Sequence, residues 1–165
     1  MSTTWNNGQF KGHRGQYDCI TTTGKGIRTV KTYVLDACAI IALINQELGH
    51  EIIVDLYNQS IDNQINLVLH KINLIEIYYE YSKKIGFAQA DWILNNIKSS
   101  NININEDLDD IMLKTVAYFK TNYRISLADS FVLATNKILA GTIVTADQEF
   151  KSIEKFENLD ILWFR

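Results

Sequence analysis

Short runs of apolar residues alternate along the chain with longer stretches in which apolar residues recur every three or four positions. The short runs predict β-strands at 33–35, 66–69, 102–104, 142–145 and 161–164. The longer stretches predict helices at 37–47, 51–62, 72–85, 87–99, 106–121 and 127–140. Short apolar strands separated by helices are typical of a parallel sheet covered on both faces. We therefore predict an α/β fold, a three-layer α/β/α sandwich with a central parallel sheet of four to five strands.

Glycines and the end of the chain refine this prediction. Gly49, Gly86 and Gly141 each follow a predicted helix. Helices commonly end on a residue in the left-handed conformation, which glycine adopts without strain, so we expect each glycine to terminate the helix before it. The final run, 161–164, is expected to be an edge strand.

The first 31 residues differ from the rest in composition. They hold five of the eight glycines, many Thr and Asn residues and no hydrophobic period. Such a segment buries too little apolar surface to offset its ordering entropy, so we expect residues 1–31 to be a disordered basic extension. Residues 32–165 then form one folded domain, a reasonable size for a single core.

Charge is also distributed unevenly. The net charge of -3 combines a charge of +4 on residues 1–31 with a charge of -7 on the remainder. A body this acidic holds RNA or DNA poorly, because contacts with phosphate depend on Lys and Arg. If a nucleic acid is the substrate, cations have to bridge it to the protein.

Two further features bear on location and redox chemistry. No window approaches the roughly 20 apolar residues needed to cross a bilayer, and the N-terminus lacks the apolar stretch of a secretory signal. We therefore expect a cytoplasmic protein with no membrane partner. Cys19 and Cys38 lack metal-site spacing, and Cys38 is interpreted as a buried thiol that acts as a small hydrophobe.

Four acids fall at positions where a parallel sheet could gather them. Asp36 directly follows the first predicted strand, and Asp147 lies two residues beyond the fourth. Glu76 lies in the helix after the second strand, and Asp129 lies in the first turn of the helix that leads into the fourth. Ligands of open parallel sheets bind outside the carboxyl ends of the strands, near the switch in strand order. We therefore expect these carboxylates to meet in one pocket.

The chemistry of such a pocket requires a cation. Carboxylates packed together repel one another, and this repulsion raises their pKa values. Mg²⁺ reverses that cost, because it favours carboxylate oxygens while keeping several waters. A bound ion lowers the pKa of coordinated water and stabilises the oxygens of an in-line phosphodiester displacement. The pattern thus indicates a Mg²⁺ or Mn²⁺ site for phosphodiester hydrolysis.

Each acid also has a purely structural interpretation, because helix N-termini attract acidic residues. The two acids that follow strands are placed to cap the next helix. Ser126 to Asp129 has the spacing of a capping box, and so does Asn73 to Glu76. The residue pattern alone leaves both interpretations open.

Four segments resemble, in order, the motifs of a PIN domain. TyrValLeuAspAlaCysAlaIleIleAlaLeuIle at 33–44 resembles the opening motif, whose strand ends on a metal-binding Asp. IleAsnLeuIleGluIle at 72–77 resembles the second motif, which carries a Glu. The third and fourth are TyrArgIleSerLeuAlaAspSerPheValLeuAlaThr at 123–135 and IleValThrAlaAspGlnGluPhe at 143–150. Within the family, the toxin half of VapBC-type toxin–antitoxin pairs is the most similar branch.

This resemblance implies a PIN-like nuclease domain with Mg²⁺- or Mn²⁺-dependent endoribonuclease activity. Such toxins are usually homodimeric and are inhibited by a cognate antitoxin protein. Matched onto this sequence, Asp36 and Asp129 are the expected metal ligands. Glu76 and Asp147 complete the metal-binding and catalytic set, directly or through water, and Thr145 helps to orient it.

Two positions depart from the family pattern, and a third adds a possible contact. His70 stands where the family often has a helix-capping Ser, which leaves the local cap in question. Ala37 stands where many relatives have a polar residue, so one accessory hydroxyl is expected to be missing. Arg124 precedes the helix that bears Asp129, and it is expected near the pocket mouth, where it could contact RNA phosphate.

Two other classes of function fit part of the pattern. One is a catalytically silent PIN-like module that binds protein or RNA, although a silent pocket has no reason to keep four repelling carboxylates. The other is a phospho-accepting signalling domain, which needs a Lys at the end of its last sheet strand. The candidate strand ends here are Thr145 and Phe164, and neither is a lysine. The endoribonuclease hypothesis is therefore preferred.

Overall fold

A computed structural model describes residues 30–165 and shows five strands and seven α-helices. The strands are β1 (Lys31–Leu35), β2 (Ile65–His70), β3 (Ile102–Asn105), β4 (Thr142–Thr145) and β5 (Ile161–Trp163). The helices are α1 (Ala37–Asn45), α2 (His50–Ile61), α3 (Lys71–Ile85), α4 (Phe87–Lys98), α5 (Asp110–Asn122), α6 (Leu127–Leu139) and α7 (Lys151–Glu157). Residues 1–29 lie outside the described range, so the disorder of the extension stays a prediction.

The strands form one sheet in the order β3-β2-β1-β4-β5. Every neighbouring pair is parallel, and β5 lies at an edge, as predicted. The chain builds outward from β1 to β3 on one side and then crosses back to place β4 on the other. The switch in strand order therefore falls between β1 and β4, where Leu35 pairs with Val144.

Two apolar layers cover the sheet. Successive side chains of a strand point to opposite faces, so Leu35 packs into one layer and Val34 into the other. The first layer contains the buried faces of α1 to α4, and the second those of α5, α6 and α7. This arrangement confirms the predicted three-layer α/β/α sandwich.

The helix ends differ from the glycine prediction at two of three positions. Gly86 does end α3, with a φ of 88°. However, α1 and α6 end on Gln46 and Ala140, which adopt left-handed conformations with φ of 53° and 50°. Gly49 instead precedes α2, and Gly141 allows close approach, since an added Cβ would lie 2.9 Å from a backbone oxygen of β1.

Helix α5 begins four residues later than the apolar pattern predicts. The Asn105 side chain accepts a hydrogen bond from the Asp107 amide at 3.0 Å, which holds a turn after β3. Asp109 then caps α5 by accepting from the Met112 amide at 2.8 Å. Asn and Asp side chains that bond to nearby backbone compete with helix formation, and this delays the helix start.

The helices are short relative to a bilayer. The longest, α3, has 15 residues. Among residues 30–165, no single helix is long and apolar enough to cross a membrane. Helices α1 and α2 meet the length and composition requirement only as a pair, and that pair is bent by 102°.

Substitution of Gly49 by Ala is expected to lower the free energy of unfolding by about 3 kcal/mol or more. The backbone there has a φ of +84°, and an added Cβ would lie 2.0 Å from the main-chain oxygen of Phe164. The matched control is Gly86→Ala, where φ is +88° but the Cβ would meet only the Gln89 Oε1 atom at 3.5 Å. Denaturant unfolding measures both losses, and equal losses would contradict the importance of the Phe164 contact.

Candidate metal centre

The sheet topology brings the four predicted site residues to one end of the molecule. Asp36 follows β1, and its amide donates to the carbonyl of Val144 in β4 at 3.2 Å. Asp147 lies two residues beyond β4. Glu76 lies in α3 and Asp129 in the first turn of α6, two helices that pack against each other. Elements distant in sequence thus converge beside the switch in strand order.

A cleft of about 620 Å³ opens at this position. Its lining residues are Glu76, Arg124, Ile125, Ser126, Asp129, Asp147, Glu149 and Ser152. Asp36 is only 4% exposed and is not among them. Its negative charge nevertheless raises the pKa of the Glu76 carboxyl, so it belongs to the same electrostatic neighbourhood.

Two of the four carboxyl groups have strongly raised pKa values. Burial raises the pKa of Asp36 to about 6, against hydrogen bonds from Cys38 and Thr145, and the charge of Asp129 adds to the effect. Most of the Glu76 residue is exposed to solvent. Its carboxyl group, however, is partly withdrawn from water, and this raises its pKa to about 7. The charges of Asp36 and Asp129 are the next largest causes. Both shifts arise first from withdrawal of the carboxyl group from water and then from neighbouring negative charge.

Asp36 is held by side chains from both β4 and α1. The Thr145 hydroxyl donates to Asp36 Oδ2 at 2.7 Å, and the Cys38 thiol donates to the same oxygen at 3.0 Å. Thr145 is fully buried and also accepts from the Asp147 amide at 3.0 Å. Cys38 accepts from the Ala146 amide at 3.4 Å. These contacts join the carboxyl ends of β1 and β4 around a single carboxylate.

The role of Cys38 goes beyond the sequence interpretation. It packs against the core but is half-buried rather than buried, and its thiol also donates to the carboxylate of Asp36. Burial, followed by the charge of Asp36, raises the pKa of the Cys38 thiol far above its usual range, so the donor stays protonated at neutral pH. The only sequence signal for this contact is a spacing of two residues from a strand-end Asp.

The capping interpretations hold for two of the four acids. Asp129 and Ser126 form a reciprocal capping box with bonds of 3.0 and 3.1 Å, and Asp147 accepts from the Glu149 amide at 2.9 Å. Asp36 stands before α1 but makes no side-chain cap. Capping occupies one oxygen of Asp129 and one of Asp147, and the other oxygen accepts no hydrogen bond from residues 30–165. Capping and metal binding are therefore compatible.

The proposed Asn73–Glu76 capping box is wrong. Helix α3 begins at Lys71, and the cap is His70, whose Nδ1 accepts from the Ile72 amide at 3.1 Å. Glu76 therefore lies beyond the first turn and has no capping role. The imidazole of His70 thus caps α3 at the position where the PIN motif often has a capping Ser.

His70 also joins the two helices that bear site residues. Because Nδ1 accepts, Nε2 carries the proton and donates to the carbonyl of Asp107 at 3.2 Å. The buried ring stacks on Phe131 of α6, with 4.5 Å between centroids. Burial lowers the pKa of His70, which keeps the ring neutral and both bonds intact.

The donor chemistry of the cleft fits a hard divalent cation. Its possible ligands are carboxylate oxygens, and neither imidazole nor thiolate lines it. As the side chains stand, no group of three or more His, Cys, Asp and Glu residues in the range 30–165 is placed to hold a metal ion. Asp129 and Asp147 each direct one oxygen to a backbone N–H group and keep the other free of hydrogen bonds within that range. Their remaining oxygens, with Asp36 and Glu76, are the groups that would hold Mg²⁺ or Mn²⁺.

Comparison with known proteins agrees with this architecture. A family model for the PIN domain matches residues 33–156. The chain belongs to the PIN domain family. The match includes all four acids of the site, from Asp36 to Asp147. No curated protein matches the chain significantly.

Solved structures with the same fold include VapBC proteins. VapBC-1 of nontypeable Haemophilus influenzae has 16% identity and a TM-score of 0.61, covering 81% of this PIN domain chain and 98% of its own. The DNA-bound VapBC of Salmonella typhimurium has 13% identity and a TM-score of 0.63, covering 82% and 100%. VapC20 of Mycobacterium tuberculosis, described as a Sarcin-Ricin loop cleaving toxin, has 12% identity and a TM-score of 0.56, covering 73% and 94%. At these identities the likeness is one of fold.

The His70 contacts predict a pH-dependent stability. The folded-state pKa is lowered from 6.5, so the unfolded chain binds the proton more readily. The His70 contribution to stability is fully present above pH 6.5 and is lost as pH falls through the folded-state pKa. Unfolding free energies across this range are expected to fall more steeply for the parent than for His70→Ser, which keeps a capping oxygen but cannot titrate. Identical pH profiles would contradict this role.

Proposed function

We propose that this PIN domain is a Mg²⁺- or Mn²⁺-dependent endoribonuclease and the toxin of a toxin–antitoxin pair. The observation that carries the proposal is the convergence of four acids on one neighbourhood at the carboxyl end of the sheet. They come from the end of β1, from α3, from α6 and from the segment after β4. The fold likeness to VapBC proteins and to VapC20, a toxin described as cleaving the Sarcin-Ricin loop, supports the choice of RNA.

In this proposal the residues of the chain divide the work. Asp36, Glu76, Asp129 and Asp147 would hold the cation beside the substrate phosphate. Thr145, assisted by the Cys38 thiol, fixes the orientation of Asp36. When bound, the ion supplies positive charge for the phosphate oxygens and lowers the pKa of water. It also provides the positive charge that an acidic body needs to hold RNA.

The proposal includes two protein partners, a cognate antitoxin and a second copy of the chain. It also places the protein in the cytoplasm. The VapBC structures that share this fold support an antitoxin. A groove of about 330 Å³ on α3 and the start of α4 supports a protein contact. It is lined by Tyr78, Tyr79, Ser82, Lys83 and Phe87. Phe87 is 70% exposed and Tyr79 56%, which is much apolar surface for adjacent residues of a small domain.

Cleavage of RNA by the purified protein tests the proposal. Cleavage is expected with Mn²⁺ or Mg²⁺ and is expected to stop when EDTA removes the ion. Asp36→Asn and Asp129→Asn are expected to lower kcat/KM at least about 100-fold, because each removes a negative ligand. The control is Asp62→Asn, which removes an exposed acid just after α2, at the opposite end of the sheet.

Two results would contradict the proposal. If the Asp36 and Asp129 variants cleave RNA as well as the parent and Asp62→Asn do, the carboxylates are not the catalytic groups. If the parent binds RNA without metal and never cleaves it, the catalytically silent binding module becomes the better description.

A further inference from the structure

Arg124 is the single basic residue among the side chains that line the acidic cleft. It lies just before α6 and is exposed. Four acids line the same cleft: Glu76, Asp129, Asp147 and Glu149. Within residues 30–165, however, Arg124 forms no ion pair with any of them. Its guanidinium is therefore available to another anion.

The other arginine of the described chain shows the contrast. Arg165 pairs with Glu47 at 2.6 Å, and that contact explains its position. Lys120, one turn before Arg124, donates to the carbonyl of Ile125. Arg124 makes neither an ion pair nor a hydrogen bond to a carbonyl within residues 30–165. Contacts within the domain therefore do not explain why an arginine stands at this position.

The backbone on either side of Arg124 is held firmly. The Tyr123 hydroxyl donates to Glu157 Oε1 at 2.8 Å, and the Tyr123 amide donates to the Phe119 carbonyl at 2.9 Å. Ile125 is only 6% exposed. The start of the Arg124 side chain is thus fixed at the cleft, so that binding an anion there needs no ordering of the backbone.

The lining of the cleft also indicates which part of RNA it holds. Of the eight lining residues only Ile125 is apolar, and none is aromatic. Single-stranded nucleic acids are held through their bases mainly by stacking on aromatic side chains. A lining of acids, serines and one arginine instead suits the sugar-phosphate backbone, with cations and Arg124 supplying the positive charge.

We propose that Arg124 binds a phosphate group of the RNA backbone beside the acidic pocket, so that the cleft recognises backbone and leaves base recognition to other surfaces. This inference rests on the proposed ribonuclease function. A guanidinium matches phosphate because its planar fork donates two parallel hydrogen bonds. At this position it also reduces the repulsion between four carboxylates and an incoming polyanion.

Steady-state cleavage by Arg124→Ala, Arg124→Lys and the parent tests this inference. The control is Lys98→Ala, which removes an exposed positive charge at the end of α4, before the amino end of β3. Arg124→Ala is expected to lower kcat/KM about tenfold, mainly through KM, and to reduce the slope of log kcat/KM against log salt by about 1. The loss is expected to be equal for RNAs of different sequence, and Arg124→Lys is expected to recover part of it.

The outcomes separate this inference from the proposed function. If the parent cleaves RNA and Arg124→Ala, shown by thermal unfolding to be folded, keeps its kcat/KM and salt slope, the phosphate contact is wrong while the ribonuclease stands. A loss that depends on RNA sequence would indicate a base contact and also overturn it. If the parent itself cleaves no RNA with either metal, the proposed function fails and the inference with it.

Discussion

The burial of carboxylates beside one another, together with the repulsion between their charges, is the constraint around which this PIN domain is organised. Asp36, Glu76, Asp129 and Asp147 share one neighbourhood, and the charges of the other three contribute to the raised pKa of Glu76. Folding alone does not remove this cost. Hydrogen bonds to Asp36 and caps at Asp129 and Asp147 offset part of it, and a divalent cation would offset the rest.

The fold holds these groups together through strand order and helix packing. A parallel sheet whose order switches between β1 and β4 places the ends of both strands side by side. Thr145 and Cys38 then join those ends around the Asp36 carboxylate. The helices that carry Glu76 and Asp129, α3 and α6, are held together by the stacking of His70 on Phe131. Each contact is buried or half-buried, so the site is supported by side chains shielded from solvent.

Apolar periodicity predicted the layers, the strands and most of the helices, because burial on a sheet or helix face imposes a regular spacing. It did not predict the start of α5, where Asn105 and Asp109 bond to nearby backbone amides. It also misassigned Gly49 and Gly141, whose roles arise from Phe164 and from a β1 oxygen, both far away in sequence. Contacts through space leave no periodic signal.

In the candidate site, too, residue positions were predictable from sequence, whereas contacts between side chains were not. The four acids were predicted from their positions at strand ends and helix starts, and from motif order. Sequence reasoning missed the thiol donor at Cys38 and the imidazole cap at His70, since both depend on side-chain geometry. It placed Arg124 near the pocket mouth, but only the structure shows that no acid in the described range pairs with it.

Unfolding free energies of the parent and Glu76→Gln, measured at mildly alkaline pH with and without Mn²⁺, test the electrostatic constraint most directly. Without metal, the variant is expected to be more stable, on the order of 1 kcal/mol after allowance for solvent screening, because it removes a charge that is withdrawn from water and repelled by neighbouring carboxylates. With Mn²⁺ the order is expected to reverse, since the parent binds the ion more tightly. A variant that is less stable than the parent without metal, or an order that Mn²⁺ leaves unchanged, would contradict the claim that these carboxylates form one cation-requiring site.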